Sequence, residues 1–201
     1  LEEELKNKGV NLFLNSKVVE IKGDTKVEKV VTENEEVYAD LVILATGVKP
    51  NTAFLQNTGI EMLKNGAIIV DKEGKTSIED IFSAGDCATV THLLKPNPTY
   101  IPLATVANKF GRVVGENLGG KELEYEGSLG SACIKVLDME AGRTGLTESE
   151  ATNSGINYKT VFVTDKNQTD YYPGQESIAI KLIYNADTKV CLLYTSDAAD
   201  D

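Results

Sequence analysis

The stretch 76–88 of this chain reads T-S-I-E-D-I-F-S-A-G-D-C-A. Residues 81–84 form a short, largely apolar run of the kind expected in a buried strand, and Gly85 and Asp86 stop it abruptly. The pattern therefore predicts a carboxylate at the carboxyl end of a strand. Because ligands bind at that edge of open α/β sheets, Asp86 is placed to accept hydrogen bonds from a sugar or polyol hydroxyl. The alternative is a Gly-Asp turn that only closes a strand.

Two further segments give this turn a context. Upstream, residues 41–47 read L-V-I-L-A-T-G, which predicts a second strand that ends in a glycine turn at Thr46 and Gly47. Downstream, residues 101–107 read I-P-L-A-T-V-A, and Pro102 suits the first turn of a helix.

These three stretches, in this order and at this spacing, resemble the pyridine nucleotide-disulfide oxidoreductases, FAD enzymes that pass hydride from NAD(P)H through flavin to a sulfur or oxygen acceptor. In that family Thr-x-x-x-x-Ile-Phe-x-Ala-Gly-Asp is the second flavin fingerprint, and its aspartate, matching Asp86, binds the ribityl chain of FAD. The resemblance spans roughly residues 1–190 and is greatest to the coenzyme A-disulfide reductase and NADH oxidase branch. The cofactor-binding residues that it implies are Thr46, Gly47, Gly85, Asp86, Ala104 and Thr105.

Residues 101–118 predict an amphipathic helix that ends at Gly119 and Gly120, because apolar residues recur along one face. In the resembled family the N–H groups near Ala104 and Thr105 and the positive end of the helix dipole face the flavin pyrimidine, where reduction deposits negative charge. An amphipathic surface helix without that role is the alternative.

The resemblance implies α/β and α+β architecture in three parts. Residues 1–70 would be the end of an NAD(P)H-binding domain that includes an antiparallel meander. Residues 71–122 would be the C-terminal half of a Rossmann-like FAD domain. A composition shift near 121–127 marks a boundary, and 123–190 would be a truncated α+β dimerisation domain.

Local patterns predict the remaining elements. A charged helix would end at Gly9, and Thr147 with Glu150 would form a capping box that opens another helix. Alternating or apolar runs predict strands at 10–14, 17–22, 26–32, 36–44, 66–71, 132–137, 159–164 and 177–184.

Tyr171 and Tyr172 precede a Pro-Gly turn in a polar loop. Tyrosine is favoured where one end of the side chain is buried and the other is wet, so an interface anchor is one interpretation. In coenzyme A-disulfide reductases a tyrosine from this region of the partner subunit reaches the substrate sulfur. Either tyrosine is therefore a candidate catalytic residue, and the sequence does not choose between them.

The formal net charge of −11 argues against nucleic acid or an anionic membrane as a partner, since both bind basic surfaces. No apolar run approaches the roughly 20 residues of a membrane span. Three scattered cysteines without metal-ligand spacing suit a reducing cytoplasm, and Cys87 and Cys133 are expected to be buried. The single histidine, His92, is expected to be a solvated loop residue.

The N-terminal Gly-rich turn and the active-site cysteine of the family have no match here, and neither does its NAD(P)H-binding Gly-rich turn. We therefore expect a C-terminal fragment. Residues 191–201 lack the pattern of relatives, so they are interpreted as a non-native tail and left out of the predicted fold.

The prediction for the complete protein is a cytoplasmic, homodimeric, FAD-dependent NAD(P)H:disulfide oxidoreductase that reduces coenzyme A disulfide or a related small disulfide or persulfide. An NADH oxidase or peroxidase of the same fold is an alternative. A different class is also open: the isolated chain as an inactive dimerisation or binding module, since half a flavin site cannot offset FAD's lost freedom.

Overall fold

The computed structural model describes residues 2–199, in a chain that divides into two compact units, Leu1–Gly47 and Val48–Asp201. Three terminal residues lie outside the described part: the first residue of the predicted charged helix, Leu1, and the last two of the predicted tail, Asp200 and Asp201. The predicted domain boundaries near 70 and 122 stay predictions.

The first unit contains one helix and a three-stranded antiparallel sheet in the order β1-β2-β3. Its elements are α1 (Glu2–Asn7), β1 (Val18–Lys22), β2 (Lys29–Thr32) and β3 (Glu36–Tyr38). Gly9 ends α1 with a φ of 80°, a conformation that glycine adopts without strain. The predicted antiparallel meander is confirmed, and an ion pair of 2.6 Å between Lys29 and Glu36 joins β2 to β3.

Two predicted strands of this unit are wrong. Residues 10–14 and 41–47 have no strand structure, and Leu41, Ile43 and Leu44 are each at least 74% exposed. A strand forms only where a neighbour pairs its backbone N–H and C=O groups. No such neighbour pairs with either segment among residues 2–199.

The second unit begins with an irregular segment that packs against the predicted helix, α2 (Ala104–Leu118). The helix is confirmed, but it starts at Ala104 with Leu103 as N-cap, so Pro102 precedes it instead of lying in its first turn. Its buried face meets Ile60, Ile68, Val70, Ala88 and Val90 through Val106, Phe110 and Val114.

The predicted strands 66–71 and 81–84 are not regular strands. Ile68 makes isolated bridges with Met62 and Ala88, and Phe82 makes one with Lys75. Turns and irregular backbone separate these bridges, and a short 3-10 helix, Ala53–Leu55, precedes them.

A five-stranded antiparallel sheet in the order β4-β5-β8-β7-β6 fills the rest of the second unit. Its elements are β4 (Ala132–Val136), β5 (Met139–Gly145), α3 (Glu148–Asn153), β6 (Tyr158–Lys166), β7 (Ser177–Asn185) and β8 (Cys191–Ala199). The predictions of β4, β6, β7 and α3 are confirmed, whereas the sequence patterns do not predict β5. A small core of Ala151, Ile183, Leu192 and Leu193 lies beneath α3.

The central strand β8 corrects one expectation, since the predicted fold leaves out the residues from 191 onward. Leu193 pairs with Gly145 of β5 and with Ile183 of β7, and it is only 4% exposed. Without β8, these two strands would each leave a row of backbone groups unpaired. That the tail is non-native in origin stays a prediction.

The thiols differ from the expectation. Cys133 is exposed, so its predicted burial is wrong. Cys87 is half-buried, so it is less buried than predicted. All three cysteines are free.

Among the described residues, no helix has the length and apolar character needed to cross a membrane.

Candidate functional site

Asp86 lies in a tight turn between the Phe82 bridge and the Ala88 bridge. Gly85 opens the turn with a φ of 83°, and the Ala88 N–H donates to the Gly85 carbonyl at 3.2 Å. A Cβ at Gly85 would meet no atom within 4 Å, so the space beside the turn is open. Within residues 2–199 the exposed Asp86 carboxylate has no hydrogen-bond or ion-pair partner, and it is therefore free to bind a ligand.

Several contacts hold the backbone of this turn. The Cys87 thiol donates to the Ala84 carbonyl at 3.4 Å and lies 3.7 Å from the Ser83 hydroxyl. The Tyr100 phenol donates to the Asp86 carbonyl at 3.1 Å. The turn is fixed through its main chain, and its carboxylate takes no part in these contacts.

The N-terminus of α2 presents unused donors. Leu103 supplies no side-chain cap, and the first turn carries no acidic residue. Ala104 and Thr105 are exposed, and their N–H groups have no acceptor among the described residues. Free N–H groups and the positive dipole end together favour a negatively charged partner.

One hydrophobic core supports both the Asp86 turn and the N-terminus of α2. Ala88, directly after the Asp86 turn, packs in one cluster with Val106 of α2, and Leu103 and Cys87 lie at its edge. The structure thus brings Gly85, Asp86 and the start of α2 into one packed unit.

Thr46 and Gly47 are the last residues of the first unit, whereas the other candidate residues belong to the second. Both are exposed, and Gly47 has a φ of 85°, with no atom within 4 Å of the position that a Cβ would occupy. A ligand could therefore approach the backbone closely here.

Tyr171 and Tyr172 lie in the loop between β6 and β7, exposed by 79% and 55%. Their rings contact each other, with centroids 4.7 Å apart and planes tilted by 36°. Neither phenol has a hydrogen-bond partner among residues 2–199, and no contact there joins this loop to the Asp86 turn. Both phenols are thus presented to the outside of the unit.

His92 corrects another expectation, because it is buried with only 5% of its surface exposed. Its Nδ1 accepts the Leu94 N–H at 3.1 Å, and its backbone bridges to Ser128. Burial, and then the charge of Lys95, lower the pKa of His92 below its ordinary value of 6.5, and Glu150 opposes this shift. Residues 89–99 show no periodicity, so the sequence carries no signal for this burial.

The predicted capping box beside His92 is confirmed. The Glu150 N–H donates to the Thr147 hydroxyl at 3.2 Å, and the Thr147 N–H donates to Glu150 Oε2 at 3.0 Å. Partial burial disfavours the charged carboxylate, but hydrogen bonds from Lys95 and Thr147 outweigh it and lower the pKa of Glu150 to about 2.

Comparison with known proteins decides which family these features belong to. The model of the family described as pyridine nucleotide-disulphide oxidoreductase matches residues 1–111, and the model of its dimerisation domain matches residues 131–192. The chain belongs to the pyridine nucleotide-disulphide oxidoreductases. Within this family the first match contains the Asp86 turn and the start of α2, and the second contains α3 and the tyrosine loop.

Relatives with different acceptors resemble this chain. It is 43% identical over 188 residues to the NAD(P)H coenzyme A polysulfide/persulfide reductase of Pyrococcus horikoshii. The aligned region covers 94% of this chain and 42% of that protein. The structure of an NAD-dependent persulfide reductase from A. fulgidus has a TM-score of 0.89 at 35% identity, covering 100% of this chain and 37% of that one. The water-forming NADH oxidase from Lactobacillus brevis, bound to NADH, also has a TM-score of 0.89, at 32% identity, covering 98% of this chain and 44% of that one.

These matches confirm the predicted family and the α/β and α+β fold class. The family is one of FAD-dependent oxidoreductases that use NAD(P)H. This chain spans about two fifths of the length of the curated relatives that it matches.

Proposed function

We propose that this chain belongs to a complete enzyme that is an FAD-dependent NAD(P)H oxidoreductase acting on coenzyme A disulfide, or on a related small disulfide, polysulfide or persulfide. The observation that carries this proposal is the free Asp86 carboxylate on a turn whose backbone is fixed. It lies within the segment that matches the family.

The residues around this turn fit FAD. The Asp86 carboxylate can accept a hydrogen bond from a ribityl hydroxyl, and such a charge-assisted bond contributes about 1.5 to 3 kcal/mol. The absence of a side chain at Gly85 leaves room beside it. The unpaired N–H groups of Ala104 and Thr105 suit the flavin pyrimidine, because they stabilise negative charge. When bound, FAD supplies hydride transfer between nicotinamide and the acceptor.

We propose a cofactor-binding role for Thr46 and Gly47 as well. Their support is the positive φ of Gly47 and the exposure of both residues, which allow close approach of a ligand to the backbone.

The proposal of a sulfur acceptor is supported by the relatives and by the tyrosine loop. The relative from P. horikoshii is a coenzyme A polysulfide/persulfide reductase, and Tyr171 and Tyr172 present two unpaired phenols from the segment that matches the dimerisation domain. In our proposal this domain forms a homodimer, and one of the phenols orients or protonates the leaving thiolate in the partner's active site. Free thiols suit the reducing cytoplasm, where we place the enzyme.

Oxygen is the second candidate acceptor. The fold is as similar to a water-forming NADH oxidase as to a persulfide reductase, with a TM-score of 0.89 in both cases. In either case the isolated chain could still act only as a dimerisation module, because the rest of the flavin site would have to come from elsewhere.

The test is NAD(P)H oxidation by the complete enzyme, measured with coenzyme A disulfide, with polysulfide and with oxygen as the only acceptor. We expect the highest kcat/KM with a sulfur acceptor and thiol or sulfide as product. Turnover with oxygen alone at a comparable rate would favour the oxidase, and the absence of bound flavin would contradict both.

A further inference from the structure

A cavity of about 210 Å³ lies between the loop that precedes α2 and the sheet of the second unit. His92, Lys95 and Leu103 line it from the loop, and Arg143 and Glu150 line it from β5 and α3. We call it the His92 cavity. Its volume is many times the roughly 10 to 15 Å³ that a single water needs.

His92, which lines the cavity, has an unpaired buried donor. Because Nδ1 accepts the Leu94 N–H, the neutral imidazole carries its proton on Nε2. Within residues 2–199 no group accepts a hydrogen bond from this Nε2–H, although only 5% of the residue is exposed. An unpaired buried donor is costly, so a ligand that accepts this hydrogen bond gains affinity from it.

The Glu150 carboxylate in the cavity already has hydrogen-bond partners. Glu150 Oε1 accepts from the Lys95 ammonium at 2.8 Å, and Oε2 accepts from the Thr147 N–H and hydroxyl at 3.0 Å each. Arg143 also approaches Oε2, at 3.9 Å. Glu150 therefore has little capacity left for a cation or for a ligand that donates hydrogen bonds.

The cations in the cavity keep unused donors. An ammonium has three N–H donors and a guanidinium has five, and Lys95 and Arg143 use only part of theirs on Glu150. With two cations and one carboxylate, the lining has an excess positive charge of one, in a chain whose net charge is −11. Among the charged groups of the lining, the carboxylate is thus occupied and the two cations have free donors.

We propose that the His92 cavity binds a tetrahedral oxyanion of the phosphate or sulfate class, either as a free ion or as a phosphate group of a larger molecule. Its oxygens accept from the His92 Nε2–H and from the free donors of Lys95 and Arg143. Charge-assisted hydrogen bonds of this kind are shorter and stronger than neutral ones. This site uses neither Asp86 nor any flavin chemistry, so its binding of an oxyanion does not depend on the proposed function.

His92 itself is the probe for this site, because it is the only histidine among the 201 residues. When ¹⁵N-labelled histidine is incorporated into the 201-residue chain, the NMR signals of this single imidazole report on the cavity. Inorganic phosphate, sulfate and ADP are added in turn at constant ionic strength, with chloride as the reference anion. We expect the Nε2 signal to move saturably with phosphate or sulfate but not with chloride. The pKa of His92 should rise on binding, since a nearby anion favours the imidazolium that burial and Lys95 oppose.

Four variants, one of them a matched control, extend the test. Lys95→Gln and Arg143→Gln should each weaken phosphate binding about tenfold or more, because each removes a charge-assisted donor. Lys64→Gln, a change of an exposed lysine outside the cavity, is the matched control and should leave the affinity unchanged. Lys95→Arg retains the charge and should bind within a few-fold of the parent.

The outcomes separate the possible ligands. Tighter binding of ADP than of inorganic phosphate would identify a phosphate group of a larger molecule, whereas binding of phosphate alone would identify the free ion. The proposal is overturned if chloride moves the signal equally, if no anion moves it, or if Lys64→Gln weakens binding as much as Lys95→Gln. It is also overturned if the imidazole titrates as in an unfolded chain, since the cavity would then not exist in solution.

Discussion

The phenol of Tyr100 donates a 3.1 Å hydrogen bond to the backbone carbonyl of Asp86, so the loop before α2 and the candidate flavin turn are directly connected. Burial, then the Asp86 carboxylate and Cys87, raise the pKa of Tyr100 above its ordinary value of 10.0, so the phenol stays protonated at neutral pH. Because the contact uses the carbonyl, the turn is held in place and the carboxylate remains available.

Tyr100→Phe tests this connection. Losing one hydrogen bond should lower the free energy of unfolding by about 0.5 to 1.5 kcal/mol, and flavin affinity of the complete enzyme should fall only a few-fold because Asp86 itself remains. Urea unfolding and flavin titration measure the two effects. Tyr38→Phe, at an 84% exposed position, is the control and should change neither. Equal stability of both variants would show that the Tyr100 bond does not hold the turn.

Two glycines with similar backbone angles should differ in their tolerance of alanine. Gly85 and Gly74 have φ values of 83° and 87°, so alanine is strained at both positions. A Cβ at Gly85 meets open space, whereas one at Gly74 would collide with the Val114 side chain of α2. We expect Gly74→Ala to be more destabilising than Gly85→Ala by about 1 to 3 kcal/mol in urea unfolding. Equal losses would mean that α2 does not pack here as described.

How far the sequence predicts this structure depends on whether the signal is local. The α2 face and the Thr147 capping box follow from spacing within a few residues, and both are present. A strand depends on what pairs with it, so the apolar run at 41–47 stays irregular, while β8 forms without a recognisable pattern. His92 is buried where its backbone bridges to Ser128, which lies far away in sequence, and no local pattern could predict this burial.

Stability should depend on pH through His92. Because burial and Lys95 lower the pKa of His92 in the folded chain, the unfolded chain takes up this proton first as the pH falls. The contribution of His92 to the free energy of unfolding should be fully present above about pH 6.5 and should decrease as the pH falls below this value. Glu150 affects stability in a lower pH range. Its contribution to the free energy of unfolding is present above about pH 4.5 and is lost as the pH falls towards about 2.

Urea unfolding between about pH 7 and pH 5 measures the histidine effect. His92→Gln removes the titrating group and should flatten the pH dependence in this range, even if its stability is lower throughout. A variant with the same slope as the parent would assign the pH dependence to other groups.

The tyrosine loop is tested by separating the two half-reactions of the complete enzyme. A phenol near the leaving thiolate acts only after the flavin is reduced, so Tyr171→Phe or Tyr172→Phe should slow reduction of coenzyme A disulfide and leave flavin reduction by NAD(P)H unchanged. Stopped-flow kinetics measure each step, and sedimentation checks the dimer. A double variant that stays dimeric and turns over at the parent rate would remove the catalytic role. One that dissociates would identify an interface anchor.

The central claim, that Asp86 is part of a flavin site, is tested most directly by the flavin content of the complete enzyme after gel filtration, for the parent, Asp86→Asn and Glu79→Gln. Glu79 is an exposed carboxylate in the same stretch, so its variant controls for loss of charge alone. We predict that the parent and Glu79→Gln bind FAD equally well, whereas Asp86→Asn, whose amide accepts only a neutral hydrogen bond, loses about 1 kcal/mol or more of binding free energy. Full FAD occupancy and unchanged affinity in Asp86→Asn would contradict the account.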